Sequence, residues 1–316
     1  MNKFDIAGHR KIWFLLSLCV IIPGFVLMIA RGLNGQQPLN FGIDFTGGTI
    51  IDLRFDAPVG LADVRSSLDK YGLGGSTIQL SGAESGVTES ENVMIRARDM
   101  EEDERKEVMG TLKEDLGNYQ VLREEKVGAT IGGDLITNAL LALVISWALI
   151  ILYVAYRFEW KFGVAAVLAL IHDICVVISV FAMTGRAVDS SFVAALLTIV
   201  GYSINDTIVI FDRIRENMRL HFRRGGDLNQ LVNVSVYQTL TRSLYTVFTV
   251  LFTTFALFFF GGDTTKDFAF ALLVGFGSGA YSSIFIASPL WIIFRNLGDK
   301  HHAAKVAAMK AEKAQN

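Results

Sequence analysis

Cysteine and proline are scarce in this chain, which has 316 residues with 2 cysteines and 4 prolines. Cys19 and Cys175 both fall in apolar runs, which excludes a disulfide framework and predicts two buried small hydrophobic side chains. A Walker A loop, the ligand spacing of a zinc site and a nucleophile elbow are also missing. We therefore expect no enzymatic activity, no cofactor, no metal and no nucleic acid partner, so that energy must come from a gradient or a partner protein.

Apolar sequence is abundant, with 52% hydrophobic residues and 23 phenylalanines. This composition is too apolar for an ordinary soluble domain. A membrane-spanning helix needs about 20 mainly apolar residues at a rise of 1.5 Å each. Six segments meet this requirement and predict a polytopic α-helical membrane protein with spans at 12–30, 136–156, 164–183, 192–211, 244–260 and 268–294. The first run lacks an Ala-x-Ala cleavage site, which favours an uncleaved span over a signal peptide.

The distribution of Lys and Arg predicts the orientation of the chain. These residues concentrate in the segments on the side of both termini, whereas the short opposite loops hold only Arg186 and Lys266. The positive-inside rule makes the basic side cytoplasmic. The predicted divisions are a cytoplasmic N-terminus at 1–11, the first span at 12–30, an extracytoplasmic domain at 31–134, a membrane domain at 135–298 and a cytoplasmic tail at 299–316.

The long insert between the first two spans alternates between the periods of strands and helices. Strands are predicted at 49–55, 76–80, 92–97 and 119–127, with one helix beginning at Leu61 and another at 102–116. The order βαββαβ is typical of the α+β ferredoxin-like sandwich, in which helices cover only one face of the sheet. The other face is either a binding surface or simply solvated.

A carboxylate interrupts the fourth predicted span. Asp206 lies among apolar residues, and placing Asp at the middle of a bilayer helix costs roughly 2.5 to 3.5 kcal/mol on insertion scales. Such a residue usually faces a partner, a cavity or an ion path. Nearby polar side chains either form a relay with it or only bond their own helix; these are Tyr202, Ser203, Asn205 and Thr207.

Three further patterns have both a structural and a functional interpretation. The pair His172 and Asp173, in the third span, could accept protons or lock two helices together. Gly275, Gly279 and Ser283 follow four-residue spacing in the sixth span and predict close helix packing. Leu228, Leu231, Val232 and Val236 predict an amphipathic helix along the inner membrane surface.

The loop after the first span has a double glycine. Its characteristic residues are Phe41, Gly42, Asp44, Gly47 and Gly48, and the glycine pair permits positive φ angles. From the residues alone, Asp44 is expected to be a turn or capping residue.

Two motifs resemble the SecD/SecF family of the RND superfamily. These are Phe41-Gly42-Ile43-Asp44-Phe45-Thr46-Gly47-Gly48 and the segment 200–217, which runs from Val-Gly-Tyr-Ser-Ile-Asn-Asp-Thr to Arg-Glu-Asn. The resemblance extends over essentially the whole chain. It implies a bacterial inner-membrane subunit of the Sec protein translocase that uses the proton motive force to promote export. The implied partners are SecD in an obligate heterodimer, the SecYEG channel, YajC, the translocating polypeptide and the lipid bilayer.

The resemblance also implies which residues handle protons. Matched by motif, they are Asp206 and Arg242, with an acidic residue of SecD as a further partner. Counted along their helices, the two residues differ by only roughly 6 Å in depth, so they could meet near the inner leaflet. Without the resemblance, Arg242 would be interpreted as a snorkelling side chain at a helix end.

Two other functions fit parts of the pattern. An RND-type half-transporter for small molecules or lipids shares the architecture, although such pumps usually carry twelve spans in one chain. An intramembrane aspartyl protease would need Gly-x-Gly-Asp, whereas Asp206 follows Ile-Asn. We therefore expect a transport subunit and not an enzyme.

Overall fold

The structure, a computed structural model, describes residues 4–81, 89–157, 159–221 and 226–298. The predicted tail at 299–316, the Gly/Ser/Glu loop at 82–88 and the basic residues Arg223 and Arg224 lie outside these ranges. The chain divides into two units. The membrane unit comprises Met1–Asn40 and Leu141–Asn316, and the inserted unit comprises Phe41–Leu140.

Helices make up most of the described residues. In chain order they are α1 (Arg10–Leu33), α2 (Ile43–Thr46), α3 (Leu61–Asp69), α4 (Glu102–Leu116), α5 (Ala129–Arg157), α6 (Trp160–Thr184), α7 (Ser190–His221), α8 (Leu228–Phe260) and α9 (Asp263–Ser282). A π-helical segment (Ser283–Ala287) continues α9, and helical residues follow to residue 298. The strands are β1 (Asn40–Phe41), β2 (Gly48–Gly60), β3 (Thr77–Ser81), β4 (Glu89–Ala97), β5 (Tyr119–Val127) and β6 (Ala187–Val188).

Six helices in the described residues are long and apolar enough to cross a membrane, which confirms the predicted number of spans. They are α1, α5, α6, α7, α8 and α9 with its continuation. Several extend past their predicted ends; α7, for example, continues from residue 211 to His221. A hydropathy pattern detects only the part of a helix at hydrocarbon depth, whereas backbone hydrogen bonding continues into polar surroundings.

The prediction of a separate surface helix at residue 228 is wrong. Those residues begin α8, which runs without interruption to Phe260. Val232 and Val236 are fully buried and pack with Ile6 and Ile210 in the main apolar core of the membrane unit. The apolar stripe is therefore explained by packing against protein and not against lipid.

α9 is central to the membrane unit, because it packs on α6, α7 and α8, while α1 packs on α6. Gly24 of α1 permits the second contact: a Cβ atom at this position would lie 2.4 Å from the Cα atom of Ser179. Cys19 is exposed on the surface of α1, which corrects the prediction that it is buried, whereas Cys175 is partly buried. An exposed thiol on a lipid-facing helix still behaves as a small hydrophobic group.

The inserted unit contains a four-stranded sheet in the order β3-β4-β2-β5, with all neighbouring strands antiparallel. Its elements follow the predicted order of strands and helices. Ile51, Leu53 and Phe55 of β2 are buried, as the alternation predicts. They pack in one core with Val64 of α3 and Val108 of α4, among others.

The opposite face of this sheet is polar. Asp52 lies opposite Met94 and Arg123, and Arg123 donates two hydrogen bonds to the Glu125 carboxylate at 2.7 and 2.6 Å. β2 is longer than predicted because its pairing with β4 shifts register between Arg54 and Val59 and then resumes. Pro58 lies within that irregularity, where its missing N–H does not interrupt a regular ladder.

The double glycine connects α2 to β2. Gly47 and Gly48 have φ angles of 70° and 127°, which residues other than glycine rarely adopt. A Cβ atom on Gly48 would also lie 2.4 Å from the carbonyl oxygen of Ala97. Asp44 lies in the first turn of the short helix α2. This loop therefore needs glycine for a backbone reason.

We expect Gly24→Ala to weaken the packing of α1 on α6 by about 1 to 3 kcal/mol, because the new methyl group meets backbone atoms of Ser179. Thermal unfolding of the full chain in detergent micelles measures the effect. Gly32→Ala, on the same helix, is the matched control because a Cβ atom there meets nothing within 4 Å. Equal midpoints for the two variants would contradict the assigned contact.

Asp115 of the inserted unit should make stability depend on pH. Hydrogen bonds from Lys70 and Ser67 hold the pKa of Asp115 below its usual value. Because the pKa is lowered by folding, the stabilisation is present above the unfolded value of about 3.9 and is lost as the pH falls through the folded value. We expect Asp115→Asn to speed amide exchange in α3 and α4 at pH about 7, with the difference from wild type shrinking below pH about 4.

Hydrogen exchange of wild type and variant at matched pH measures this difference. Glu114→Gln removes a neighbouring exposed carboxylate and should leave exchange unchanged. A difference that persists at low pH would contradict the role of Asp115 ionisation.

Candidate functional site

Asp206 lies in the middle of α7 and is partly buried. Its Oδ1 atom accepts a hydrogen bond from Ser243 of α8 at 2.5 Å, and its Oδ2 atom accepts one from Ser283 at 2.6 Å. Both serines are buried. Three helical segments therefore meet at one carboxylate.

The two serine hydroxyls allow Asp206 to be charged or neutral. A hydroxyl donates to a carboxylate, and it can also accept from a protonated carboxyl group. Among the described residues, no ion pair fixes the charge of Asp206. The hydrogen bonds to Asp206 in these residues therefore come from neutral groups that can act as donors or as acceptors.

Ser283 is the first residue of the π-helical segment. Its hydroxyl also lies 3.2 Å from the carbonyl oxygen of Ala280, and Ser288 donates to the Ser283 carbonyl at 3.1 Å. Pro289 follows directly and has no N–H to donate to the preceding turn. Such bulges are frequent at functional sites. Ser283 was predicted only as a packing residue, and its hydrogen bond to Asp206 was missed; Pro289 in the same span was the available signal.

Arg242 does not contact Asp206. Within the described residues, no hydrogen bond or ion pair joins their side chains, and Arg242 is exposed. Arg242 precedes Ser243 by one residue, and neighbours on an α-helix point about 100° apart. Because Ser243 faces Asp206, the guanidinium points elsewhere. It lines an open cavity of about 430 Å³ together with Tyr153, Arg157, Asp212, Arg213, Glu216 and other residues.

A second carboxylate, Asp173 of α6, is fully buried. Three serine hydroxyls donate to it: Ser203 of α7 at 2.7 Å, Ser278 of α9 at 2.7 Å and Ser282 of α9 at 2.8 Å. Nδ1 of His172 lies 3.1 Å from its Oδ1 atom. Asp173 of α6 therefore joins its own helix to α7 and α9.

His172 connects this cluster to α1. Its Nε2 atom lies 2.8 Å from Oγ of Ser17. Ser17 in turn lies 3.4 Å from the Tyr281 hydroxyl, which donates to the carbonyl oxygen of Trp13 at 2.7 Å. The sequence left open whether this pair accepts protons or locks helices together; in the structure it connects α6 to three other helices, α1, α7 and α9.

The other predicted relay residues separate into two groups. Ser203 bonds Asp173, and Thr207 donates to the Ser203 carbonyl at 3.1 Å. Asn205 is exposed, and the buried Tyr202 hydroxyl has no partner among the described residues. The Tyr202 ring packs on Phe276, with 4.6 Å between ring centroids. Of this group, only Ser203 directly contacts a membrane carboxylate.

The two predicted packing glycines do bring α9 close to α7. A Cβ atom on Gly275 would lie 2.1 Å from Cδ1 of Ile199, and one on Gly279 would lie 3.0 Å from Cβ of Ser203. This close approach places the α9 serines within hydrogen-bonding distance of both carboxylates. Among the described residues, no group of His, Cys, Asp and Glu has the arrangement of a metal site.

Residues 108–297 match the family described as "Protein export membrane protein SecD/SecF, C-terminal", and residues 35–59 match the "SecD/SecF GG Motif". The chain belongs to the SecD/SecF family. The second match covers the double-glycine loop, and the first covers both membrane carboxylates.

Individual members of the SecD/SecF family are similar over nearly the whole chain. The protein translocase subunit SecF of Acidaminococcus fermentans is 49% identical over 295 residues, which cover 93% of this chain and 98% of that protein. A translocase subunit of this kind is a transport component and not an enzyme. Together with the six apolar helices, these matches identify a multi-pass protein of the bacterial inner membrane.

Two solved structures of the SecD/SecF family share the fold. The crystal structure of SecDF from Thermus, a translocon-associated membrane protein, matches with a TM-score of 0.81 and 36% identity over 93% of this chain. SecDF in a super-membrane-facing form matches with a TM-score of 0.67 and 35% identity over 96% of the chain. This chain spans only 39% and 40% of those longer chains.

We expect Ser203→Ala to destabilise the membrane unit by about 1 to 3 kcal/mol, because a buried carboxylate loses a hydrogen-bond donor. Thr198→Ala is the control on the same helix, since the Thr198 hydroxyl is exposed and bonds only the Ala194 carbonyl. Thermal unfolding in detergent measures both. Similar midpoints for the two variants would argue against a stabilising role for the Asp173 cluster.

Proposed function

We propose that this chain is the subunit that couples protein export to the proton motive force, working with SecD beside the SecYEG channel. The observation that carries the proposal is Asp206, a carboxylate within a membrane helix that is bonded only by hydroxyls among the described residues. A group in that setting can change its charge without breaking its packing. The relatives of this chain are named protein translocase subunits. From that name we infer that the substrate is an exported polypeptide.

SecD is the proposed partner. The similar solved structures are of SecDF, and this chain spans 39% and 40% of those chains. The surface of α5 fits such a role, because Leu149, Leu152 and Tyr156 are exposed on it. YajC is a further proposed partner that rests on the family resemblance alone.

Proton transfer through Asp206 can supply the energy. A charge that crosses a potential of 100 mV releases about 2.3 kcal/mol. In the proposed cycle, Asp206 takes a proton from outside and releases it inside. Protonation weakens its hold on Ser283, whose hydroxyl can turn to the Ala280 carbonyl. The π-helical segment is then free to change its hydrogen bonding, which makes it the proposed moving element.

Arg242 has a conditional role in this proposal. In the present structure Arg242 lines the open cavity and does not contact the Asp206 carboxylate. A rotation of α8 that carried Arg242 toward Asp206 would favour the ionised carboxylate and so promote proton release. An acidic residue of SecD is the proposed alternative partner for the guanidinium.

The proposed orientation places both termini in the cytoplasm and the inserted unit outside. The inserted unit is assigned to the ferredoxin-like class, a proposal supported by the strand order β3-β4-β2-β5 and by the position of α3 and α4 in one core. Its polar sheet face, with Asp52, Arg54 and Arg123, is the proposed surface for the emerging polypeptide. A polar face suits transient contact with unrelated sequences.

We expect Asp206→Asn to abolish the stimulation of export by the proton motive force, because the amide cannot carry the proton. Export of a model precursor into energised inverted membrane vesicles, with and without a protonophore, measures the stimulation. Export should fall to the protonophore-treated level while assembly with SecD is retained.

Asp212→Asn is the matched control, since Asp212 lies on the same helix but is exposed and pairs with Arg215. It should leave stimulation unchanged. Full stimulation in vesicles that contain Asp206→Asn would refute the assignment of Asp206.

A further inference from the structure

His172 and Asp173 form an ionisable pair that the proposed proton step at Asp206 does not use. The Asp173 side chain is 1% exposed and the His172 side chain is 10% exposed, with 3.1 Å between Nδ1 and Oδ1. Burying a carboxylate without compensation is costly, so the cluster must either neutralise the charge or remove it.

Asp173 has four polar neighbours. Oδ1 accepts from Ser278 and faces Nδ1 of His172, while Oδ2 accepts from Ser203 and Ser282. Three hydroxyls and one ring nitrogen around two oxygen atoms fit an ionised carboxylate, although each hydroxyl can also accept from a protonated carboxyl group. If Asp173 is ionised, a nearby positive charge stabilises it in these apolar surroundings.

His172 is the group that can supply this charge. Within the described residues, no Lys or Arg side chain bonds either member of the pair. The groups that face the pair from the neighbouring helices are hydroxyls: Ser17 from α1, Ser203 from α7, and Ser278, Tyr281 and Ser282 from α9. The nearest carboxylate along α7 is Asp206, one turn beyond Ser203.

The outer nitrogen of His172 can exist in two states. If Nε2 carries a proton, it donates to Ser17, and Ser17 donates to the Tyr281 hydroxyl. If Nε2 is bare, the Ser17 hydroxyl turns and donates to it. The Tyr281 hydroxyl donates to the Trp13 carbonyl oxygen in both states. One proton can thus be gained or lost with the rotation of one hydroxyl group.

His172 lies beside a groove between α1, α6 and α9. The groove has a volume of about 180 Å³, and its walls are almost entirely apolar although Ser17, His172, Ser278 and Tyr281 are among its lining residues.

The pair also lies close to Asp206. Ser282 donates to Asp173, and the next residue, Ser283, donates to Asp206. On α7, Ser203 and Asp206 are three residues apart, a rise of about 4.5 Å. The two carboxylates therefore accept hydrogen bonds from two adjacent serines, and Asp206 lies one helical turn from the α7 serine that bonds Asp173.

We propose that His172 and Asp173 form a second proton-holding site of the membrane unit, an imidazolium–carboxylate pair that exchanges one proton at Nε2 and is electrostatically coupled to Asp206. The coupling rests on the proposed function of Asp206, whereas the existence of the site does not. Each carboxylate then influences when the other site releases its proton.

Solid-state ¹⁵N NMR of the full chain in lipid bilayers, with labelled histidine, tests the proposal. The chain has five histidines, and the signals lost in His172→Gln assign this ring. We expect both ring nitrogens of His172 to be protonated at low pH and one proton to be lost between pH about 4 and about 9. A ring that stays in one state throughout this range would overturn the site.

Asp206→Asn tests the coupling without altering the pair itself. Loss of the negative charge of Asp206 should move the midpoint of this titration to lower pH, because a nearby anion favours the protonated imidazolium. Asp212→Asn, further along the same helix, is the matched control and should leave the midpoint unchanged. An unmoved midpoint in Asp206→Asn would overturn the coupling.

The NMR titration does not depend on export. If Asp206→Asn keeps full export stimulation, the proposed function fails while a titrating His172 still supports the second site. If His172 does not titrate but Asp206→Asn abolishes stimulation, the second site fails and the proposed function stands.

Discussion

The membrane unit depends on one constraint: two carboxylates must be held inside a bundle of apolar helices. Serine hydroxyls meet this constraint, with five hydrogen bonds shared between Asp173 and Asp206. A hydroxyl is small, costs little to bury when bonded, and serves either charge state of a carboxyl group. Lys or Arg in the same positions would fix both acids as anions and leave no proton to move.

Serine is a short side chain, so this solution requires backbones that lie close together. The glycines of α9 provide that approach, because Gly275 and Gly279 leave no room for a Cβ atom against Ile199 and Ser203. Association of helices in lipid relies on such close packing, since apolar burial gives little preference for helix over lipid. The small-residue stripe therefore has a chemical consequence, because it sets the reach of Ser278, Ser282 and Ser283.

Periodicity predicted the six spans and the order of elements in the insert, because both are one-dimensional signals of apolar spacing. It did not predict which polar groups meet. Depth counted along helices placed Asp206 and Arg242 at similar levels, but Ser243, one residue away, takes the facing direction. The stripe at Leu231 and Val232 was assigned to the membrane surface because a pattern of apolar residues does not distinguish lipid from the N-terminal segment around Ile6. Rotation about a helix axis and the choice of partner are set by tertiary packing.

The π-helical segment links these observations. Ser282 and Ser283 leave α9 on either side of the point where the helix widens, so one turns to Asp173 and the other to Asp206. A regular α-helix also separates adjacent residues by about 100°, but its backbone hydrogen bonds span four residues, whereas those of a π-helical segment span five. Pro289, shortly after the segment, has no N–H to donate to the preceding turn. The element that joins the two acids therefore has irregular backbone hydrogen bonding, which is frequent where such segments lie at functional sites.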